Sequence, residues 1–140
     1  VENSFNYYLV GKGQFDKLKE ENNNYLDGLL KKYNDRLLEL QQKAVTQADM
    51  EKARQELDAM MRKNQEEKAA VENKLYNAGS RLNEDILSKI TGFLKVYNSP
   101  KKYDYIIQYE PRLVFYKDST LNITSELIRG LNEKYKKIKN

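Results

Sequence analysis

The reactive side chains of this sequence are carboxylates, lysines, arginines and hydroxyls, because cysteine, histidine and tryptophan are all absent. A thiolate nucleophile, an imidazole base and the nitrogen and sulfur ligands of a zinc site are therefore excluded. The carboxylates that stand closest together, Glu20-Glu21, Glu66-Glu67 and Glu84-Asp85, are sequence neighbours. On a helix, neighbours diverge by about 100°, so no such pair converges on one reacting atom as a general acid and base must. These pairs read as solvated helix charge. The sequence offers no catalytic residue, no cofactor motif and no metal site, and an enzyme is the least supported class. A protein that works by binding fits better, so the question becomes which surfaces its elements present.

The 140 residues suit a single domain over 1–140, but 33% of them are charged and the mean hydropathy is −0.89. A chain so polar cannot bury its whole length in one compact core, whereas elongated helices or an obligate oligomer need less core per residue. No apolar run approaches the roughly 20 residues of a membrane-spanning helix, so no span is expected. Val1 does not open a basic n-region followed by an apolar h-region, so any leader has been removed or was never present. A cysteine-free chain is compatible with either redox compartment.

The net charge of +4 is unevenly placed. Residues 1–45 hold seven Lys/Arg and seven Asp/Glu, residues 46–97 nine and nine, and residues 98–140 nine and five, so the whole excess lies in the last third. A dense but neutral middle is the pattern of a solvated coiled-coil surface, whereas a nucleic-acid binder concentrates a basic stripe beside aromatics. No nucleic-acid partner is expected. The tail Lys134, Lys136, Lys137 and Lys139 reads as cations offsetting the negative end of a helix dipole.

From Phe15 to Val45 there is no proline, and Leu26, Leu30, Tyr33, Leu37, Leu40 and Ala44 step by four and three, which is a heptad seam. Thr46-Gln47-Ala48-Asp49 matches the Ser/Thr-x-x-Asp/Glu pattern of a helix start, after which Met50, Ala53, Leu57 and Met60 resume the period. A turn between Lys43 and Asp49 makes the two helices antiparallel. Folding about position 46 or 47 sets Leu40 near Ala53, Leu37 near Leu57 and Tyr33 near Met60. The first helix, at 1.5 Å per residue over about 30 residues, spans roughly 45 Å and should protrude as an arm. The second continues through Val71, Leu75, Ala78, Leu82, Ile86, Ile90, Phe93 and Tyr97 to Asn98-Ser99-Pro100, and its steps of four after Ala78 break the strict heptad. Gly79-Ser80 falls opposite Gly13, either as a hinge at the root of the arm or as small residues that permit close packing.

The last third changes period. Tyr103, Tyr105, Ile107 and Tyr109 alternate with Asp104, Ile106 and Gln108 as a strand, Glu110-Pro111-Arg112 reads as a turn, and Leu113-Val114-Phe115-Tyr116 as a second strand. Two strands alone are marginal in water, so a third must come from the N-terminus or from other subunits. A closing helix starts at about Ile123, capped by Asn122 or Thr124, with Leu127, Ile128, Leu131, Tyr135 and Ile138 on one side. Asn122-Ile123-Thr124 also matches a glycosylation acceptor, but capping is the preferred role.

The order of a long helical hairpin, a Tyr-Asp-Tyr-Ile-Ile strand, a Val-Phe-Tyr-Lys-Asp strand and a Leu-Asn-Ile-Thr-Ser-Glu-Leu-Ile-Arg-Gly-Leu-Asn-Glu-Lys-Tyr helix resembles the Skp (OmpH-like) family over nearly the whole chain. The most specific part is Tyr103 to Tyr135. The resemblance implies an α+β, predominantly helical fold: a long antiparallel coiled-coil arm over 14–80, with its tip near 43–49, on a small β-containing body. That body, from 1–13 and 81–140 with its C-terminal helix, is completed by homotrimerisation. The family opens with a strand before its first helix, where this chain has the polar Glu2-Asn3-Ser4. By resemblance the protein is an ATP-independent periplasmic holdase whose arms enclose unfolded outer-membrane β-barrel proteins, so its partners are those clients and further copies of itself.

Such a function needs dispersed, weak apolar contacts rather than a reaction centre. Candidate client contacts are arm residues off the seam, Tyr25, Leu29, Leu38, Met61 and Tyr76, which otherwise pack on a neighbouring arm or are scattered surface apolars. The candidate oligomerisation surface is Tyr103, Tyr105, Ile107, Leu113, Phe115, Leu127 and Leu131, and the candidate hinge is Gly79 and Ser80. The rival reading is a structural coiled-coil adaptor that docks a folded protein with the same hairpin.

Overall fold

The computed structural model describes residues 4–136 and contains three α-helices: α1 (Asn6–Lys43), α2 (Gln47–Tyr97) and α3 (Thr124–Lys134). The first two form a long hairpin of 38 and 51 residues. Only Ala44, Val45 and Thr46 separate them, within the expected turn. The turn is closed by reciprocal capping. The Thr46 Oγ1 accepts from the Asp49 backbone N–H at 3.1 Å, and the Asp49 carboxylate accepts from the Thr46 backbone N–H at 3.2 Å and from its hydroxyl at 2.6 Å. Donors that α2 would otherwise leave unpaired are satisfied at the start of the helix.

By packing, the chain divides into two compact units: Gln14–Ser80, and the residues up to Gly13 together with those from Arg81 onward. Within Gln14–Ser80 the helices run antiparallel in a register that folds about position 46. Arg36 bridges to Glu56 at 2.7 Å, the Asn64 amide reaches the Leu29 carbonyl at 3.5 Å, and Tyr33, Leu37 and Leu40 line a groove with Ala53 and Leu57. Ala53 and Val71 are buried, as is one polar residue, Asn22, whose amide donates to the Leu18 carbonyl one turn back at 2.6 Å. The seam differs from the expected one at Met50, which is exposed, and at Leu30. Leu29 is half-buried in it, while Leu30 is 56% exposed. Adjacent leucines satisfy the same spacing, and a straight helix of 3.6 residues per turn drifts away from a 3.5 repeat, so the earlier of the two is the more buried.

The other unit has a small core of Phe5, Ile86, Leu127 and Leu131, with Tyr7, Leu82, Ile90, Phe93 and Tyr135 packed against it. Phe5 and Leu131 are completely buried, each contributing about 2–3 kcal/mol by removal of apolar surface from water. Asn132 secures this arrangement by accepting from the Asn6 backbone N–H at 2.8 Å and donating to the Ser4 carbonyl at 2.9 Å. Gly130 lets α3 sit on α2, since a Cβ there would lie 2.2 Å from the Phe93 ring. At the start of α3 the cap position is Ile123, not Asn122 or Thr124 as expected: Thr124 is the first helical residue, and the Asn122 side chain, one residue before the cap, accepts from the Thr124 N–H at 3.1 Å. Ile138, expected on the apolar side of this helix, lies outside the described residues, as do Lys137, Lys139 and Val1 to Asn3.

The expected strands are not formed among the described residues, and the fold there is all-helical. Residues 103–109 and 113–116 have no ladder, and only a short 3-10 turn, Ser119–Leu121, precedes α3. The connection explains why. The Glu110 carbonyl accepts from both the Leu113 and the Val114 N–H at 2.9 Å, which is a single helical turn and not the tight loop that lays two strands side by side. Two short strands without a third gain too little from pairing to overcome that geometry.

Candidate functional site

In Gln14–Ser80 the heptad pattern sends the large apolar residues into the seam and leaves a defined set outside it. Tyr25, Leu38, Met61 and Tyr76 are exposed, Tyr76 to 76%, whereas Leu29 is spent in the seam. Three exposed residues escape the sequence reading: Leu30 and Met50, which were assigned to the seam, and Val45 in the turn, which is 80% exposed. The signal for Val45 was its place in the three-residue connection, where no neighbour is available to cover it.

Charge around these residues is paired and nearly neutral, with twelve Lys/Arg and thirteen Asp/Glu between positions 14 and 80. Arg36 also holds Glu39 at 2.7 Å, and Lys43 holds Glu39 at 2.5 Å. The two cations pull the Glu39 carboxyl down to about 2, with the Lys43 hydrogen bond the larger cause. Hydrogen bonding to Thr46 likewise lowers Asp49, and the Arg36 guanidinium lowers Glu56. A hydrogen bond to the Glu67 carboxylate raises the Tyr25 hydroxyl. The tip therefore presents apolar side chains among fixed, mutually compensated charges, suited to weak apolar contact and poorly suited to attracting an ion of either sign.

The second cluster of exposed apolar surface lies where strands were expected. Tyr105, Ile107, Leu113, Phe115 and Tyr116 are 70–97% exposed, and Tyr103 is half-buried. This segment and the residues leading into α3 border an open hollow of about 600 Å³ whose lining includes Tyr103, Ile106, Tyr109, Val114, Leu121 and Ile123. Leu127 and Leu131, assigned with these residues from sequence, are instead buried in the core of their own chain. Lys117 sits 3.6 Å from the centre of the Tyr109 ring and offsets part of the aromatic face.

The titratable groups do not converge. Asp85 is held by Lys89 at 2.8 Å and by the Tyr7 hydroxyl, and these bonds lower its carboxyl while the Asp85 bond raises both Tyr7 and Lys89. Lys89 also lies 4.4 Å from the Tyr7 ring centre, so the trio ties α1 to α2. Among the described residues no three His, Cys, Asp or Glu side chains are grouped to hold a metal ion, and no helix is long and apolar enough to cross a membrane. Gly79 has the Phe15 ring 3.6 Å from where its Cβ would be, ordinary contact distance, and Ser80 follows it as the last residue of its unit.

These features define a helical-hairpin protein that exposes apolar side chains both within Gln14–Ser80 and along residues 105–116. The family model described as Outer membrane protein (OmpH-like) matches residues 2–131, and the chain belongs to that family. A search of curated proteins and a search of solved structures each found no match.

Proposed function

We propose that this protein is an ATP-independent periplasmic holdase that shields unfolded outer-membrane β-barrel proteins, acting as a homotrimer. Membership of the OmpH-like family over residues 2–131 carries the reading. In it, Gln14–Ser80 serves as the arm, and Tyr25, Leu30, Leu38, Met61 and Tyr76 supply client contact. Many weak apolar contacts hold an unfolded chain and still allow it to leave. The strand-prone residues Tyr103 to Tyr109 and Leu113 to Tyr116 form the body by pairing with other copies, which would also cover Phe115, now 97% exposed.

The test is the light-scattering mass of the protein in solution, followed in the same preparation by suppression of aggregation of a denatured outer-membrane β-barrel. A trimer that suppresses aggregation is expected. A monomer inert toward the client removes the chaperone reading, and a stoichiometric folded partner without client protection replaces it with an adaptor. Gly79 and Ser80 are proposed as a hinge of the arm. Hydrogen exchange should then be faster at residues 78–81 than on either side, and uniform protection through Gly79 would leave only close packing as their role.

A further inference from the structure

Where α2 ends, the Asn98 side chain makes both hydrogen bonds that a neighbouring strand would make to one residue. Its Nδ2 donates to the Tyr103 carbonyl at 2.8 Å, and its Oδ1 accepts from the Tyr103 backbone N–H at 3.0 Å. The chain between is tightly turned. The Asn98 carbonyl accepts from the Lys101 N–H at 2.9 Å across Pro100, and Lys101 has a φ of 54°, a left-handed conformation that a residue with a Cβ rarely adopts. Such strain persists where the surroundings over-determine the backbone. Here both flanks are tied: the Tyr97 hydroxyl donates to Glu126 of α3, the Tyr97 ring stacks on Phe93 at 6.0 Å, and Lys102 lies 5.5 Å from the Tyr97 ring centre.

We infer that Asn98 is a positioning residue for subunit assembly, clamping Tyr103 so that the segment 103–109 leaves α2 in one register. The inference rests on the proposed role of that segment in pairing with other copies. Side chains of a strand alternate faces, so a slip of one residue at Tyr103 would turn Tyr105 and Ile107 to the opposite side of any sheet they join. A loop free to slip would offer both registers and dilute the one that pairs. The clamp removes that choice before the copies meet and lowers the ordering that pairing demands.

The experiment compares the full chain with Asn98→Ala and Asn98→Asp, the latter keeping the acceptor for the Tyr103 N–H but losing the donor. Subunit dissociation is followed by sedimentation over a dilution series, and helix melting by circular dichroism is recorded at a concentration where all three are in one oligomeric state. The midpoint concentration for dissociation should rise about tenfold in the alanine variant and by less in the aspartate variant, with helix melting unchanged in both. Unchanged dissociation, or melting and dissociation falling in step, overturns the inference while leaving the oligomer in place. An unmutated chain that is monomeric at every concentration overturns the assembly reading and the inference with it. Should the alanine variant fail to fold, the aspartate variant decides.

Discussion

Glu39 stands between two cations, Arg36 at 2.7 Å and Lys43 at 2.5 Å, and its carboxyl is lowered to about 2. A carboxyl lowered in the folded state stabilises that state above its unfolded pKa, and the contribution disappears as pH falls through the folded value. Helix signal from the tip should therefore hold from neutral pH down to about 4 and decline between there and about 2. In Arg36→Gln, carboxyl NMR should show Glu39 titrating closer to an ordinary glutamate. These pairs are exposed and screened, so the change will be modest. Gly130 works by space instead of charge. A Cβ at this position meets the Phe93 Cζ at 2.2 Å and the Cε2 at 2.6 Å. Gly130→Ala should lower stability by roughly 1–3 kcal/mol in denaturant unfolding, and adding Phe93→Leu should recover part of that loss.

At the scale of elements, the hairpin separates residues that hold it from residues free to bind. Leu37 and Leu38 are neighbours, yet Leu37 lines the groove with Ala53 and Leu57 while Leu38 is 58% exposed. Leu37→Ala should cost roughly 1–3 kcal/mol of hairpin stability, and Leu38→Ser less than about 0.5 kcal/mol. A test of client contact must respect this division. Leu29 belongs to the seam, so replacing it would confound folding with binding. Leu30→Ser, Leu38→Ser and Met61→Ser combined should weaken client retention with the melting temperature and oligomer mass unchanged, and unchanged retention would remove these residues from the contact surface.

At the scale of the whole molecule, the charge excess is confined to one stretch of the chain, which also carries the exposed apolar residues between Tyr105 and Tyr116. The excess of nine Lys/Arg over five Asp/Glu sits in 98–140, while 14–80 is close to neutral. If the arm holds clients by apolar contact, raising the salt from about 0.05 to 0.5 M, which shortens the Debye length to a few ångströms, should leave the client dissociation constant within about twofold. A steep fall in affinity would assign capture to the basic last third.

The helical character of 15–43 and 47–97, the turn after Lys43 and the Thr46–Asp49 cap were legible in the sequence because each depends on residues within a few positions of one another. Helical period and capping hydrogen bonds are local, so local pattern is sufficient. The choice of Leu29 over Leu30, the burial of Phe5 beneath α3, the Asn132 clasp on Ser4 and Asn6, and the close approach at Gly130 depend on which surface arrives from far along the chain. The segment from Tyr103 to Tyr116 shows the same limit from the other side. Its alternation and β-branched or aromatic content read as strand, but a strand is stable only when paired, and the geometry at Glu110 to Val114 keeps its two halves from pairing with each other. Periodicity determined what each residue could become; only the tertiary structure decided which neighbour was present to make it so.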